Sequence, residues 1–196
     1  MKRIGVLALQ GGFAAHVRRL EELGHAPFEA RTARDVERAE GLVLPGGESS
    51  AQLLLVERFG LEPPIRALAE SGQPVLATCA GLILAAASVT APRQRSFGLI
   101  DVDVARNAYG RQRDSFEALS DGDRELPLVF IRAPRIVRVG AAVEVLATLQ
   151  GEPILVRQGK VTAATFHPEL TADTRVHRSV FGGERTEAVS SMTEQS

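Results

Sequence analysis

The stretch Val-Leu-Ala-Thr-Cys-Ala-Gly-Leu-Ile-Leu-Ala-Ala-Ala, residues 75–87, joins an apolar segment directly to a run of small residues. The segment Val75–Thr78 is the short, continuous apolar run expected of a strand that is covered on both faces of its sheet. It leads straight into Cys79, and the small residues that follow predict a helix through Ala87. A strand followed at once by a helix is typical of an α/β fold.

Two further strand–turn–helix units precede this stretch. In the first helix, Phe13, Val17 and Leu20 recur at helical spacing. Strands alternating with helices predict a three-layer α/β fold, with a mostly parallel central sheet and helices on both faces. The predicted strands are 4–9 and 41–44, the turns are 10–12 and 45–47, and the helices begin at Phe13 and cover 49–59 and 65–71.

The second half of the chain predicts mainly strands. Several of their connections are too short for a helix, so some strands should be antiparallel. We expect a last helix over 173–181, one domain over 1–181, and a disordered tail over 182–196, which is polar and lacks periodicity. The predicted strands are 99–105, 128–131, 143–149, 154–156 and 161–166.

The composition disfavours several classes of protein. Among 196 residues, 23 Lys and Arg stand against 24 Asp and Glu, so the formal net charge is -1. A nucleic-acid groove normally shows a basic stripe, so nucleic acid is not an expected partner. The longest apolar run, 80–87, is far shorter than the roughly 20 residues of a membrane-spanning helix. One cysteine predicts no disulfide framework, and the short apolar run after Lys2 and Arg3 predicts no secretion signal, so we expect a cytoplasmic protein.

Cys79 is the first candidate for chemistry, because it lies where an apolar strand meets a helix. A side chain on such a sharp turn is exposed at the carboxyl edge of the sheet, and the amide groups of the following helix favour the reactive thiolate. Ala80 would offer a backbone N–H to an oxyanion. The alternative is a small buried hydrophobic residue, which is the commoner role of a lone cysteine.

His167 and Glu169 lie at the end of another predicted strand. Side chains two apart on an extended chain point the same way, and Pro168 favours an extended conformation at His167. Glu169 can therefore orient the imidazole, and with Cys79 the three residues match a nucleophile, base and orienting carboxylate. The alternative is a polar strand end without a catalytic role.

The turn after the second predicted strand contains Gly46 and Gly47. Paired glycines let backbone N–H groups approach a ligand closely, as an oxyanion hole requires. The alternative is a plain strand–helix turn with Ser49 or Ser50 as the helix N-cap. It is not a phosphate loop, because no Gly-Lys-Ser/Thr follows. Gln10, at the end of the first strand, is a weaker signal.

These segments together resemble class I, triad-type glutamine amidotransferases, which have a flavodoxin-like fold. More narrowly, the chain is similar to the glutaminase subunits of pyridoxal 5′-phosphate synthase, which takes part in vitamin B6 biosynthesis. The likeness extends from Ile4 to about Arg178. The matching blocks are 5–11, 44–49, 78–81, 106–112, 114–117, 130–134 and 166–170.

The resemblance implies an activity and a role for each matching residue. Cys79 would attack the side-chain carboxamide of L-glutamine and form a γ-glutamyl thioester, while His167 moves protons and Glu169 orients it. The ammonia would pass to a barrel-fold synthase subunit, and no cofactor is implied. Glutamine would contact Gly47, Glu48, Ser49, Arg106, Ile131 and Arg132, and the oxyanion-hole candidates are Gly46, Gly47, Ala80 and Gln10.

The sequence also departs from the pattern and leaves alternatives open. Ile83 stands where amidotransferases of this class often carry Gln, four residues after the nucleophile. The spacing of the four histidines predicts no metal site, and His16, His25 and His177 are expected at the surface. The alternatives are the glutaminase subunit of another amidotransferase, a stress-response protein with a cysteine at the same elbow, and a non-catalytic regulatory subunit.

Overall fold

A computed structural model describes residues 1–106 and 115–182 of the chain. Within them the backbone forms twelve strands, six α-helices and a 3-10 helix over Pro168–Leu170. The strands are β1 (Arg3–Leu7), β2 (Ala26–Ala30), β3 (Leu42–Leu44), β4 (Val75–Thr78), β5 (Ala86–Thr90), β6 (Ile100–Ala105), β7 (Ser115–Leu119), β8 (Pro127–Ile131), β9 (Arg135–Val139), β10 (Glu144–Leu149), β11 (Glu152–Gln158) and β12 (Val161–Ala164). The helices are α1 (Phe13–Glu22), α2 (Ala33–Glu37), α3 (Ser49–Arg58), α4 (Glu62–Glu70), α5 (Ala80–Ala85) and α6 (Arg175–Phe181).

The central sheet has seven strands in the order β10-β11-β12-β4-β3-β1-β2. The strands from β12 to β2 are parallel, and β11 and β10 continue the sheet as antiparallel strands. The short connections in the second half of the chain predicted that some strands there are antiparallel, and this prediction is confirmed. Two small sheets, β5-β6-β9 and β7-β8, lie outside the central one.

Alternate residues of each central strand pack on opposite faces of the sheet, as the pleat requires. In β3 and β4, Val43 and Leu76 join Leu20 of α1 and Phe181 of α6 in one apolar cluster. Their neighbours along the same strands join α2, α3, α4 and α5 in a second cluster. The predicted three-layer fold with helices on both faces is confirmed.

The helix predicted to continue through Ala87 is too long. α5 ends at Ala85, and the chain continues as β5, which pairs with β6. Alanine favours a helix, but strand pairing outside the central sheet outweighs this local preference. Apart from Gly182, the predicted tail over 182–196 lies outside the described residues, as does most of the matching block over 106–112.

Candidate active site

Four neighbouring parallel strands, β12, β4, β3 and β1, end at the same edge of the central sheet. In open α/β sheets, ligands bind in the crevice outside the carboxyl ends of such strands. The segments that follow these four strands contain His167, Cys79, Gly46 and Gln10. The topology therefore brings together residues that are widely separated in sequence.

Cys79 lies on a strained turn between β4 and α5. Its φ is +50° and its ψ is −104°, a conformation that residues with a side chain rarely adopt. The turn is tight because α5 starts against β3, and a Cβ at Gly81 would overlap the carbonyl of Leu44. The thiol donates to the carbonyl of Ile131, with 3.8 Å between sulfur and oxygen. Although Cys79 is largely buried, it is part of a pocket wall.

His167 and Glu169 are in direct contact. The distance from His167 Nδ1 to Glu169 Oε1 is 2.7 Å, and the carboxylate is almost completely buried. The predicted strand over 161–166 is too long, since β12 ends at Ala164 and Glu169 lies in the 3-10 helix. The turn of this helix, rather than an extended chain, brings the carboxylate to the imidazole.

The charges of this pair depend on each other. Burial alone would lower the pKa of His167, but hydrogen bonds and charge from Cys79 and Glu169 outweigh it and raise that pKa to about 10. Burial likewise acts to raise the pKa of Glu169, but His16 and His167 outweigh it and hold that pKa below its ordinary value. The arrangement therefore favours an imidazolium beside a carboxylate.

A pocket of about 520 Å³ opens at this edge of the sheet, a volume suited to a small ligand. All the predicted site residues except Gln10 and Ala80 line it. Three lining residues, Gly12, Ile83 and Leu170, were not assigned to the site from the sequence, although Gly12 and Leu170 lie within or beside recognised motifs. The lining residues are Gly12, Gly46, Gly47, Glu48, Ser49, Cys79, Ile83, Arg106, Ile131, Arg132, His167, Glu169 and Leu170.

Glu48 is the N-cap of α3, so the expectation of Ser49 or Ser50 at that position is wrong. Its carboxylate accepts the amide protons of Ser50 and Ala51 at 3.2 and 2.7 Å. The same carboxylate lies 3.4 Å from the guanidinium of Arg106, which brings a cation to the pocket wall. Burial acts to raise the pKa of Glu48, but these amide groups and Arg106 outweigh it and lower that pKa.

Ser49 is positioned by a residue that sequence reasoning missed. Its hydroxyl donates to Gln94 Oε1 at 2.9 Å, and Ser49 itself is buried. Gln94 lies in a segment without a recognisable motif, so no sequence signal indicated this contact.

Two of the oxyanion-hole candidates, Gln10 and Ala80, do not line the pocket. Gln10 accepts the amide proton of Glu48 through its side-chain oxygen at 2.9 Å, so it holds the loop that carries Glu48. Ala80 is buried at the first position of α5. Gly46 does line the pocket, and its carbonyl accepts the amide proton of Gly12 at 3.0 Å.

Three histidines expected at the surface are buried. His16 and His177 are fully enclosed and contact each other, and His25 bonds the carbonyl of Gly182 at 2.8 Å. The spacing contained a usable signal, since His16 lies three residues after Phe13 and four before Leu20, on the apolar face of α1. Within the described residues, no group of three or more His, Cys, Asp or Glu could hold a metal ion.

Comparison with known proteins identifies the family. The model of the SNO glutamine amidotransferase family matches residues 6–182. The chain belongs to this family. The resemblance inferred from the sequence motifs is therefore confirmed.

Relatives within this family match the chain over nearly its whole length. One from Shouchella clausii, "Pyridoxal 5'-phosphate synthase subunit PdxT", is 46% identical over 180 residues, which cover 90% of this chain and 92% of that protein. A protein of the same name from Solibacter usitatus is 50% identical over 189 residues and covers 90% and 96% of the two chains. A solved structure described as a glutamine amidotransferase superposes with a TM-score of 0.85 at 44% identity, covering 90% and 96%.

Among the described residues, no helix is both long and apolar enough to cross a membrane.

Proposed function

We propose that this chain is the glutaminase subunit of a pyridoxal 5′-phosphate synthase and hydrolyses L-glutamine to L-glutamate and ammonia. The observation that carries the proposal is the convergence of Cys79 and the bonded pair His167 and Glu169 at one pocket. Membership of a glutamine amidotransferase family supports the same reaction. Relatives that are 46% and 50% identical bear the name of the synthase subunit.

In the first half of the reaction, the Cys79 thiol gives its proton to His167, and the resulting thiolate attacks the side-chain carbonyl carbon of glutamine. The C–S bond forms as the carbonyl electrons move to oxygen. When they return, the C–N bond breaks and the nitrogen takes a proton from the His167 imidazolium, so ammonia leaves. The products of this step are a γ-glutamyl thioester and a neutral imidazole.

In the second half, neutral His167 acts as the base. It takes a proton from water as the water oxygen attacks the thioester carbon, and the C–S bond then breaks. The Cys79 thiolate is regenerated, His167 is again an imidazolium, and the new γ-carboxyl group loses its proton to solvent as glutamate leaves. The raised pKa of His167 suits this cycle, because the proton stays on the imidazole until the leaving nitrogen accepts it as the C–N bond breaks.

The pocket wall offers groups for both ends of the substrate. The Arg106 guanidinium can bind the α-carboxylate, and the Glu48 carboxylate beside it can bind the α-ammonium. Gly47, Ser49, Ile131 and Arg132 line the same pocket, and we assign them to glutamine binding as well.

Stabilisation of the oxyanion calls for backbone N–H donors close to Cys79. We assign this role to the amides of Ala80 and Gly47. The amide N–H of Gly47 and the carbonyl of Gly46 belong to the same peptide group. That carbonyl accepts a hydrogen bond from the Gly12 amide. Gln10 supports the assignment indirectly, since it fixes the neighbouring loop through Glu48.

The partner follows from the reaction and from the relatives' names. Free ammonia is protonated and diluted in water, so a synthase must receive it through an interface. We assign that role to a barrel-fold synthase subunit. Ile131 and Leu170 on the pocket wall expose 40% and 48% of their surface, which provides apolar area for such a contact.

Glutamate release from L-glutamine tests the proposal, measured with and without a barrel-fold synthase subunit. We expect release that rises with the partner and disappears in a Cys79→Ala variant. Glutamate release that does not depend on this partner would support the glutaminase activity but indicate that the chain supplies ammonia to a different synthase. An absence of release in every combination would overturn the proposal and favour a regulatory or stress-response protein.

A further inference from the structure

Behind Glu169 lies a pair of buried histidines that the proposed reaction does not use. His16 on α1 and His177 on α6 have no exposed surface, and 2.9 Å separates His16 Nδ1 from His177 Nε2. His16 Nε2 lies 3.3 Å from Glu169 Oε2 and 3.2 Å from Thr78 Oγ1. The carboxylate therefore has a hydrogen bond to His167 at Oε1, while His16 lies close to Oε2, a buried atom for which the described residues otherwise provide no hydrogen-bond partner.

We propose that this histidine pair, His16 and His177, positions Glu169 through a chain of neutral imidazole hydrogen bonds. The proposal rests on the glutaminase function above, in which Glu169 orients His167. It assigns His16 and His177 as positioning residues that do not touch the substrate.

The direction of the hydrogen bonds follows from the acceptor at Glu169. A carboxylate oxygen can only accept, so His16 has to present an N–H at Nε2. A neutral imidazole has one N–H, and His16 Nδ1 is therefore the acceptor for His177 Nε2–H. The opposite direction would place the lone pair of His16 Nε2 against the carboxylate, which is repulsive.

His177, at the end of the proposed series of hydrogen bonds that is farthest from Glu169, is consistent with donation from His177 to His16. His177 Nδ1 is buried and has no hydrogen-bond partner among the described residues. In the proposed tautomer this atom carries no proton. A buried acceptor without a partner is less rare than a buried N–H without one.

The surroundings keep both rings neutral. Burial lowers the pKa of His16 and the charge of His167 lowers it further, which outweighs the opposite effect of Glu169. Burial also lowers the pKa of His177, with further contributions from His16 and from Arg19 of α1, to about 3 despite Glu169. A neutral donor orients the carboxylate and leaves its negative charge for the His167 imidazolium.

The activity test compares His16→Leu with His16→Gln, in the presence of the synthase subunit. The leucine variant should lower the kcat of glutamate release by about tenfold to a hundredfold, as expected for a lost hydrogen bond to a charged group. Its KM for glutamine should stay close to that of the unaltered chain. The amide of the glutamine variant can donate to Glu169 Oε2 and should restore most of the lost kcat.

A matched control separates this effect from a general loss of stability. His25 is also buried, and its ring bonds the Gly182 carbonyl rather than Glu169. His25→Leu should destabilise the chain while leaving kcat unchanged. Equal kcat values for His16→Leu and His16→Gln would overturn the proposal.

A measurement on the unaltered chain needs no enzymatic activity. NMR spectra of chain labelled with ¹⁵N-histidine should show His16 and His177 neutral at pH 7, each with its proton on Nε2. A charged His16, or a His16 proton on Nδ1, would contradict the proposal even if every leucine variant failed to fold. If the unaltered chain with its partner releases no glutamate, the proposed function fails. The NMR assignment of the His16 and His177 tautomers still tests the proposed hydrogen bonds independently.

Discussion

Replacing Gly46 with alanine should displace His167 without changing any group that takes part in the proposed reaction. A Cβ at this position would lie 2.9 Å from His167 Nδ1 and closer still to Cε1. Ordinary contacts between such atoms begin near 3.5 Å, so the ring has to move by about 1 Å. The backbone cannot easily move instead, because the Gly46 carbonyl accepts hydrogen bonds from Gly12 and Gln52 at 3.0 and 3.4 Å.

The displacement acts on the hydrogen bond that orients the imidazole. His167 Nδ1 lies 2.7 Å from Glu169 Oε1, and a shift of this size would break the bond or bend it strongly. A misplacement of about 1 Å can cost a hundredfold in rate, and overpacking typically costs about 1–3 kcal/mol of stability. We therefore expect Gly46→Ala to fold and to lose about a hundredfold in kcat.

Glutamate release at saturating glutamine, with the synthase subunit present, measures this loss. Gly60→Ala is the control, since a Cβ there meets no atom within 4 Å but is strained at a φ of +63°. It should cost about 1 kcal/mol of stability and leave kcat unchanged. A Gly46→Ala variant with the kcat of the unaltered chain would show that the added Cβ does not displace His167.

Three further predictions concern the pocket. Glu169→Gln should lower kcat by about a thousandfold or more, because the amide cannot stabilise the His167 imidazolium; glutamate release checks this. Since the folded pKa of His167, about 10, exceeds the reference 6.5, its contribution to the free energy of unfolding is fully present below pH 6.5 and lost as pH rises through 10. Urea unfolding across this range should show the decline, and a His167→Gln variant should not. Arg106→Gln should raise the KM for glutamine by about tenfold or more with a smaller effect on kcat, measured by steady-state kinetics.

Secondary structure that depends on local sequence patterns was in part predictable from the sequence. Val75–Thr78 was assigned to a strand with the observed bounds, because its continuous apolar character reflects burial on both faces. The strand β2 was missed, since Ala26–Ala30 contains Pro and Glu and lies at the edge of the sheet, where burial is partial. The helix α2 was missed because five residues are too few to show a helical period.

The contacts that complete the site depend on tertiary packing and were not predictable in the same way. Cys79 and His167 were found because each follows an apolar strand, and parallel neighbours bring such ends together. The contact of Gln94 with Ser49 joins segments that share no local pattern. Periodicity alone does not specify that α1 and α6 cover the same face of the sheet, so the contact between His16 and His177 was not predictable from the sequence.

The buried charge of Glu169 explains why the features of this site occur together. A carboxylate shielded from water is costly unless it is paired and its oxygens are satisfied. His167 hydrogen-bonds one oxygen, and His16, the donor proposed for the other, lies 3.3 Å from it; together they hold the pKa of Glu169 below its ordinary value despite its burial. The same carboxylate keeps His167 protonated, which the proposed reaction requires when ammonia leaves. Because the charges of Glu169 and His167 depend on each other, a change at the neutral His16 should reach Cys79 through its contact with Glu169, although His16 lies outside the pocket wall.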